Sequence, residues 1–143
     1  MKKHVGDSWM PADEYGRSLR GLSLNLLVED IENSLEFQRT VLGAAIVYSD
    51  PDFAVVSGYG AEWMMHADHT YDRHPMRIAA NAAGQRGAGV ELRLHGCDPD
   101  RAEKAAMENG FVVMASAANK PHGVREAFLV DPDGYVWVPD VPL

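Results

Sequence analysis

The sequence predicts an α+β fold in which one βαβββ module occurs twice. Three observations carry this. Apolar residues recur at period two in short runs, and two stretches recur at helical period instead. Each helical stretch starts at an aspartate, Asp30 or Asp98, and stops at a glycine, Gly43 or Gly110. The order strand, helix, glycine, strand, strand, strand then holds in both halves, as an internal duplication requires.

Residues 1–20 are polar and unpatterned, an arm that packs late or frays. The first module spans 21–70. In LSLNLLVED, Leu22, Leu24, Leu26 and Val28 share one strand face and Ser23, Asn25 and Leu27 the other. Asp30 caps the helix that follows, because its carboxylate can accept from backbone N–H groups that lack intrahelical partners. Ile31, Leu35 and Leu42 form the apolar stripe, flanked by Ser34, Phe37 and Val41, and Gly43 supplies a position that tolerates positive φ. AAIVYS, FAVVSG and AEWMMHA read as strands, separated by turns at Asp50-Pro51-Asp52 and Tyr59-Gly60. A connecting segment, 71–87, is rich in small and polar residues; its length suits a lid or an exchanged segment. The second module, 88–143, has GVELRLHG as its first strand and Asp98-Pro99 as its helix start. FVVMAS, REAFLV and YVWVP are its remaining strands. Asp131-Pro132-Asp133-Gly134 reads as a turn. A calcium loop would need an oxygen ligand at Tyr135 and a carboxylate at Pro142.

Composition narrows the function. A net charge of −8 argues against a nucleic-acid partner and against an anionic membrane surface. No apolar run reaches membrane-spanning length, and no signal-peptide pattern opens the chain. One cysteine, Cys97, excludes an internal disulfide and a cysteine-rich zinc site, which fits a cytoplasmic protein.

VEDIENSLEFQRTVLG in the first module and HGVREAFLVDPDGYVWVP in the second resemble the vicinal oxygen chelate superfamily of glyoxalases, bleomycin-resistance proteins and extradiol dioxygenases. The resemblance covers about residues 21 to 140. It implies a curved mixed sheet with a concave cup, usually completed in a homodimer. It also implies four metal-ligand positions, which fall here on Ser23, on Met64 or His66, on Glu91 and on Val138. Valine cannot coordinate a cation and serine rarely does, so the usual metal site is not expected.

Strand parity adds a reading of its own. Glu91, Arg93 and His95 lie opposite Val90, Leu92 and Leu94, and Val136 and Val138 share a face opposite Tyr135 and Trp137. A site formed by Ser23, Asn25, Met64, His66, Glu91, Arg93, Val136 and Val138 has an apolar wall and few polar groups, the makeup of a small-molecule pocket. The expected function is therefore binding or sequestration of a small hydrophobic organic ligand by a homodimer, with no cofactor. The alternative is a metal-dependent lyase, isomerase or dioxygenase holding a divalent ion through His66, Glu91 and His122. A third reading is a cup filled by its own side chains.

Overall fold

A computed structural model describes all residues, 1–143. The first module contains β1 (Asn25–Val28), β2 (Ala45–Ser49), β3 (Phe53–Gly58) and β4 (Ala61–Ala67) in the order β1-β4-β3-β2, with β1 and β4 parallel. The second contains β5 (Glu91–His95), β6 (Val112–Asn119), β7 (Val124–Val130) and β8 (Val136–Pro142) in the equivalent order β5-β8-β7-β6, with β5 and β8 parallel. The parallel pair in each module follows from the helix between its first two strands, which carries the chain back before the antiparallel meander begins.

Asp30 caps the first-module helix as expected, accepting from the Asn33 N–H at 2.9 Å, and Gly43 ends it at φ 68°. The helix is regular only over Ile31–Phe37. It continues as a π-helical turn over Gln38–Leu42, whose extra residue brings Gln38, Val41 and Leu42 all into the interior. A simple 3.6-residue stripe does not anticipate that turn. In the second module Asp98 caps the helix Pro99–Glu108 through two backbone N–H groups.

One core joins the two modules. Leu26, Val28, Leu35, Phe37, Trp63 and Met65 pack with Leu92, Leu94, Ala102, Leu129 and Trp137. The indoles of Trp63 and Trp137 meet at 5.4 Å near its centre. Each buried indole N–H has its own acceptor: Gln38 Oε1 at 3.0 Å for Trp63 and Asp131 Oδ2 at 2.9 Å for Trp137. The alternation read from the sequence holds within the strands but not at their ends. Leu22 and Val90 lie just outside β1 and β5 and are exposed.

Polar ties reinforce the junction. The Asp131–Gly134 turn is closed by Asp131 Oδ1, which accepts from the Asp133 and Tyr135 N–H groups. Asp133 reaches into the first module, accepting from the Glu29 N–H and the Ser34 hydroxyl, both at 2.7 Å. Arg86, in the connecting segment, pairs bidentately with Asp68 and donates to the Leu27 carbonyl. Gly87, at φ 66°, runs so close to Tyr135 that a Cβ would sit 2.6 Å from the ring, so no larger residue fits there.

Two further helices had no clear sequence signature: Ala12–Ser18, here α1, in the N-terminal arm, and Pro75–Ala82 in the connecting segment. The first-module and second-module helices are α2 and α4, and the connecting helix is α3. The arm does not fray; it folds over the outer face of the first sheet.

Candidate functional site

Each sheet keeps one face in the common core and turns the other outward. In the first module that outer face carries Asn25 on β1, Phe53 and Val55 on β3, and Met64 and His66 on β4, aligned by the registers Asn25↔Met64, Val55↔Met64 and Phe53↔His66. The arm roofs this face. Trp9 stacks on Tyr48 at 4.8 Å and lies nearly parallel to Phe53 at 6.2 Å, while Tyr15 meets Trp9 edge-on and donates to Glu62. Asp52 fastens the arm by accepting from the Lys3 and His4 N–H groups and from His69 Nε2 at 2.6 Å. Burial alone would raise the pKa of Asp52, but these hydrogen bonds outweigh it and hold the carboxyl at about 2.

Between arm and sheet lies a cleft of about 790 Å³, lined by Trp9, Tyr15, Phe53, Met64, His66 and Asp50 among others. His66 lies among its polar groups. Its Nδ1 lies 2.6 Å from Asn25 Oδ1, and Asn25 Nδ2 in turn donates to the Tyr71 hydroxyl at 3.1 Å. Burial, with the nearby positive charge of Lys2, lowers the His66 pKa and favours the neutral ring.

The outer face of the second sheet is different. Arg93 sits among three carboxylates: Glu91 at 2.9 Å, Asp140 at 3.2 Å and Glu126 in close contact. His95 Nδ1 lies 2.8 Å from Asp140, and His122 Nε2 3.5 Å from Glu126. The hydrogen bond to Glu126, followed by those to Glu91 and Asp140, drives the guanidinium pKa upward. Burial pushes the Glu126 pKa up, and Arg93 more than reverses that. Val136 and Val138 are buried beneath this network, in register with Glu91 and Arg93.

The eight residues expected to share one cup are thus divided between two faces. Met64 and His66 line the cleft and Asn25 supports His66. Glu91, Arg93, Val136 and Val138 belong to the second sheet. Ser23 precedes β1 and is exposed. Glu91 and Arg93 do point opposite Leu92 and Leu94, as parity requires. The sequence reading missed the arm residues Trp9 and Tyr15 and the clasp Asp52. It also missed Glu126 and Asp140, although Asp140 stands two residues beyond Val138 and so shares its face.

No family model matches the chain, and no curated protein matches it. Solved structures do. A glyoxalase/bleomycin resistance protein/dioxygenase family enzyme from Burkholderia phytofirmans superposes with a TM-score of 0.66 at 18% identity, covering 85% of this chain and 97% of its own. A glyoxalase/bleomycin resistance protein/dioxygenase from Nocardioides gives 0.62 at 23% identity, covering 92% of each chain. TioX from Micromonospora gives 0.63 at 15% identity, covering 87% of this chain and 97% of its own. The chain has the glyoxalase/bleomycin-resistance/dioxygenase fold. At these identities the fold is what is shared.

The metal that this fold holds in some of its members does not suit the residues present. The position expected at Ser23 lies outside the strand, and the one at Val138 is an apolar side chain without exposure. The alternative set of His66, Glu91 and His122 is not brought together: His66 is bonded to Asn25, Glu91 to Arg93, and His122 faces Glu126. No three His, Cys, Asp or Glu side chains converge as ligands anywhere in the chain. Arg93 already supplies the positive charge that the carboxylates of the second face would offer to an ion. Of the other histidines, His69 pairs with Asp52 and His74 caps α3.

Proposed function

We propose that the chain is a small-molecule-binding member of the vicinal oxygen chelate superfamily. It holds a small, largely apolar organic ligand in the cleft between the first sheet and the N-terminal arm, without a metal cofactor. The observation that carries this is the cleft itself: a concave space walled in part by Trp9, Tyr15, Phe53 and Met64, with the His66 imidazole and several carboxylates among its lining. Binding or sequestration is the reading that this makeup supports, because no three metal-ligating side chains converge there. Cys97, the one thiol, is buried elsewhere against the Leu42 carbonyl.

The reading extends to a cytoplasmic homodimer. No helix is long and apolar enough to cross a membrane, and the single cysteine suits a reducing compartment. The second sheet leaves Val112 and Met114 exposed on its edge strand, apolar surface that a second copy would cover. Light scattering that returned a monomer mass at micromolar concentration would count against the dimer.

Trp9 makes the binding test direct. Trp63 and Trp137 are buried in the core, so a ligand in the cleft should change the fluorescence of Trp9 alone. Titration with a panel of neutral aromatic compounds should quench the wild type and leave Trp9→Phe unresponsive. Elemental analysis of protein purified without chelator should find no stoichiometric transition metal. Finding one would favour a metal-dependent lyase, isomerase or dioxygenase instead.

A further inference from the structure

We propose that the ligand of this cleft is a neutral aromatic molecule carrying a hydroxyl or N–H donor, and that it donates a hydrogen bond to Nε2 of His66, with Asn25 as the positioning residue. This rests on the cleft reading above and deepens it to a chemical class.

Asn25 Nδ2 donates to the Tyr71 hydroxyl oxygen at 3.1 Å, and in that amide orientation Oδ1, an acceptor, faces His66. The contact at 2.6 Å is then a hydrogen bond only if Nδ1 carries the proton. The second nitrogen of a neutral imidazole is a bare acceptor. Nε2 has no protein partner and is not among the sealed polar atoms, so its lone pair is available to the cleft that His66 lines. The ring cannot readily turn away. Phe53 packs on it at 4.7 Å and Tyr71 at 5.4 Å.

The surroundings select the remainder of the ligand. Trp9, Tyr15 and Phe53 offer flat apolar surface beside the acceptor. Asp7, Asp50 and Asp52 line the cleft against one lysine, Lys2, so a carboxylate or phosphate ligand meets repulsion. An acceptor at His66 and aromatic walls favour a phenol-like or indole-like donor, and the surplus of negative charge disfavours an anionic one.

Three probes of one shape separate these features: 2-naphthol, its methyl ether 2-methoxynaphthalene, and 2-naphthoate, each titrated calorimetrically at neutral pH. The wild type should bind 2-naphthol roughly tenfold more tightly than the ether, the worth of one well-placed hydrogen bond in a partly buried site. It should bind 2-naphthoate most weakly. In His66→Phe the preference for naphthol over ether should vanish while the ether still binds. Equal binding of naphthol and ether by the wild type, or a naphthol preference that survives in His66→Phe, overturns the hydrogen-bond assignment and leaves the cleft reading standing. Binding of none of the three overturns both. Independently of any ligand, ¹⁵N spectra of the histidine rings should show His66 protonated at Nδ1 and bare at Nε2, with Asn25→Ala losing that strict preference. A wild-type ring protonated at Nε2 would overturn the assignment on its own.

Discussion

His69 Nε2 lies 2.6 Å from Asp52 Oδ1, and the same buried carboxylate accepts the backbone N–H groups of Lys3 and His4. A side chain of the β2–β3 turn and a side chain beyond β4 thereby fix the first residues of the arm across the edge of the cleft. Removing the carboxylate should release the roof while leaving the sheets intact, since Asp52 takes no part in the common core. Asp52→Ala is expected to cost about 2 kcal/mol through loss of these bonds. Limited proteolysis should then cut within residues 1–24 of the variant well before the remainder of the chain. Equal resistance of variant and wild type would show that the aromatic stack around Trp9 suffices to hold the arm.

The clasp also has a pH signature. The Asp52 carboxyl is held at about 2 in the folded chain against an ordinary 3.8. A depressed carboxylate pKa means that the folded state binds its proton less readily than the unfolded one. Its stabilising contribution is complete above about pH 4 and is lost as pH falls toward about 2. Arm release on acidification, read as a change in Trp9 fluorescence, should fall in that interval. The change should be absent in Asp52→Asn. A wild-type arm still closed at the bottom of the interval would contradict the assignment of Asp52 as the clasp.

Asp131 has the opposite sign. Burial raises its carboxyl to about 6, with the charge of Asp133 adding to the effect and the Trp137 indole N–H opposing it. A raised pKa means that the folded state holds the proton more tightly than the unfolded one between about pH 4 and 6. Stability therefore falls as pH rises through that window and levels off above it, a change on the order of 3 kcal/mol for two pH units. Urea midpoints measured from pH 4 to 7 should decline in the wild type. The decline should be shallower in Asp131→Asn, whatever the absolute stability of that variant. Parallel profiles would mean that another group titrates there.

Much of this architecture was legible because it rests on local rules. The caps at Asp30 and Asp98, the stop at Gly43 and the Asp131 turn each follow from backbone groups that need partners nearby in sequence, and strand parity put Glu91 and Arg93 on the face opposite Leu92 and Leu94. What was not legible depends on contacts distant in the chain. The arm has no apolar period, and it orders only because Trp9 finds Tyr48 and Phe53, while the Lys3 and His4 N–H groups find Asp52. The division of the expected site between two faces has a similar cause. Parity assigns each residue to a face of its own sheet, but it carries no information on how one sheet packs against the other through Trp63 and Trp137.

Arg93 offers the sharpest test of the second face. Glu126 and Asp140 are nearly without exposure, so neither charge is well solvated without the guanidinium. Arg93→Met should cost about 3 kcal/mol, the low end for breaking a buried pair because Arg93 itself keeps about a quarter of its side chain exposed. The loss should be pH-dependent. With Arg93 gone, burial dominates at Glu126 and raises its folded pKa above the ordinary value of 4.5, so the penalty grows as pH rises through that region and shrinks in acid. Arg93→Met combined with Glu126→Gln should recover part of the stability at neutral pH, because the uncompensated charge is removed with its partner. Ligand binding beneath the arm should be unchanged in both variants, since Arg93 and Glu126 do not line the cleft. Additive losses in the double variant would show that the two side chains are not coupled, and a loss of naphthol binding in Arg93→Met would place the ligand on the second face instead.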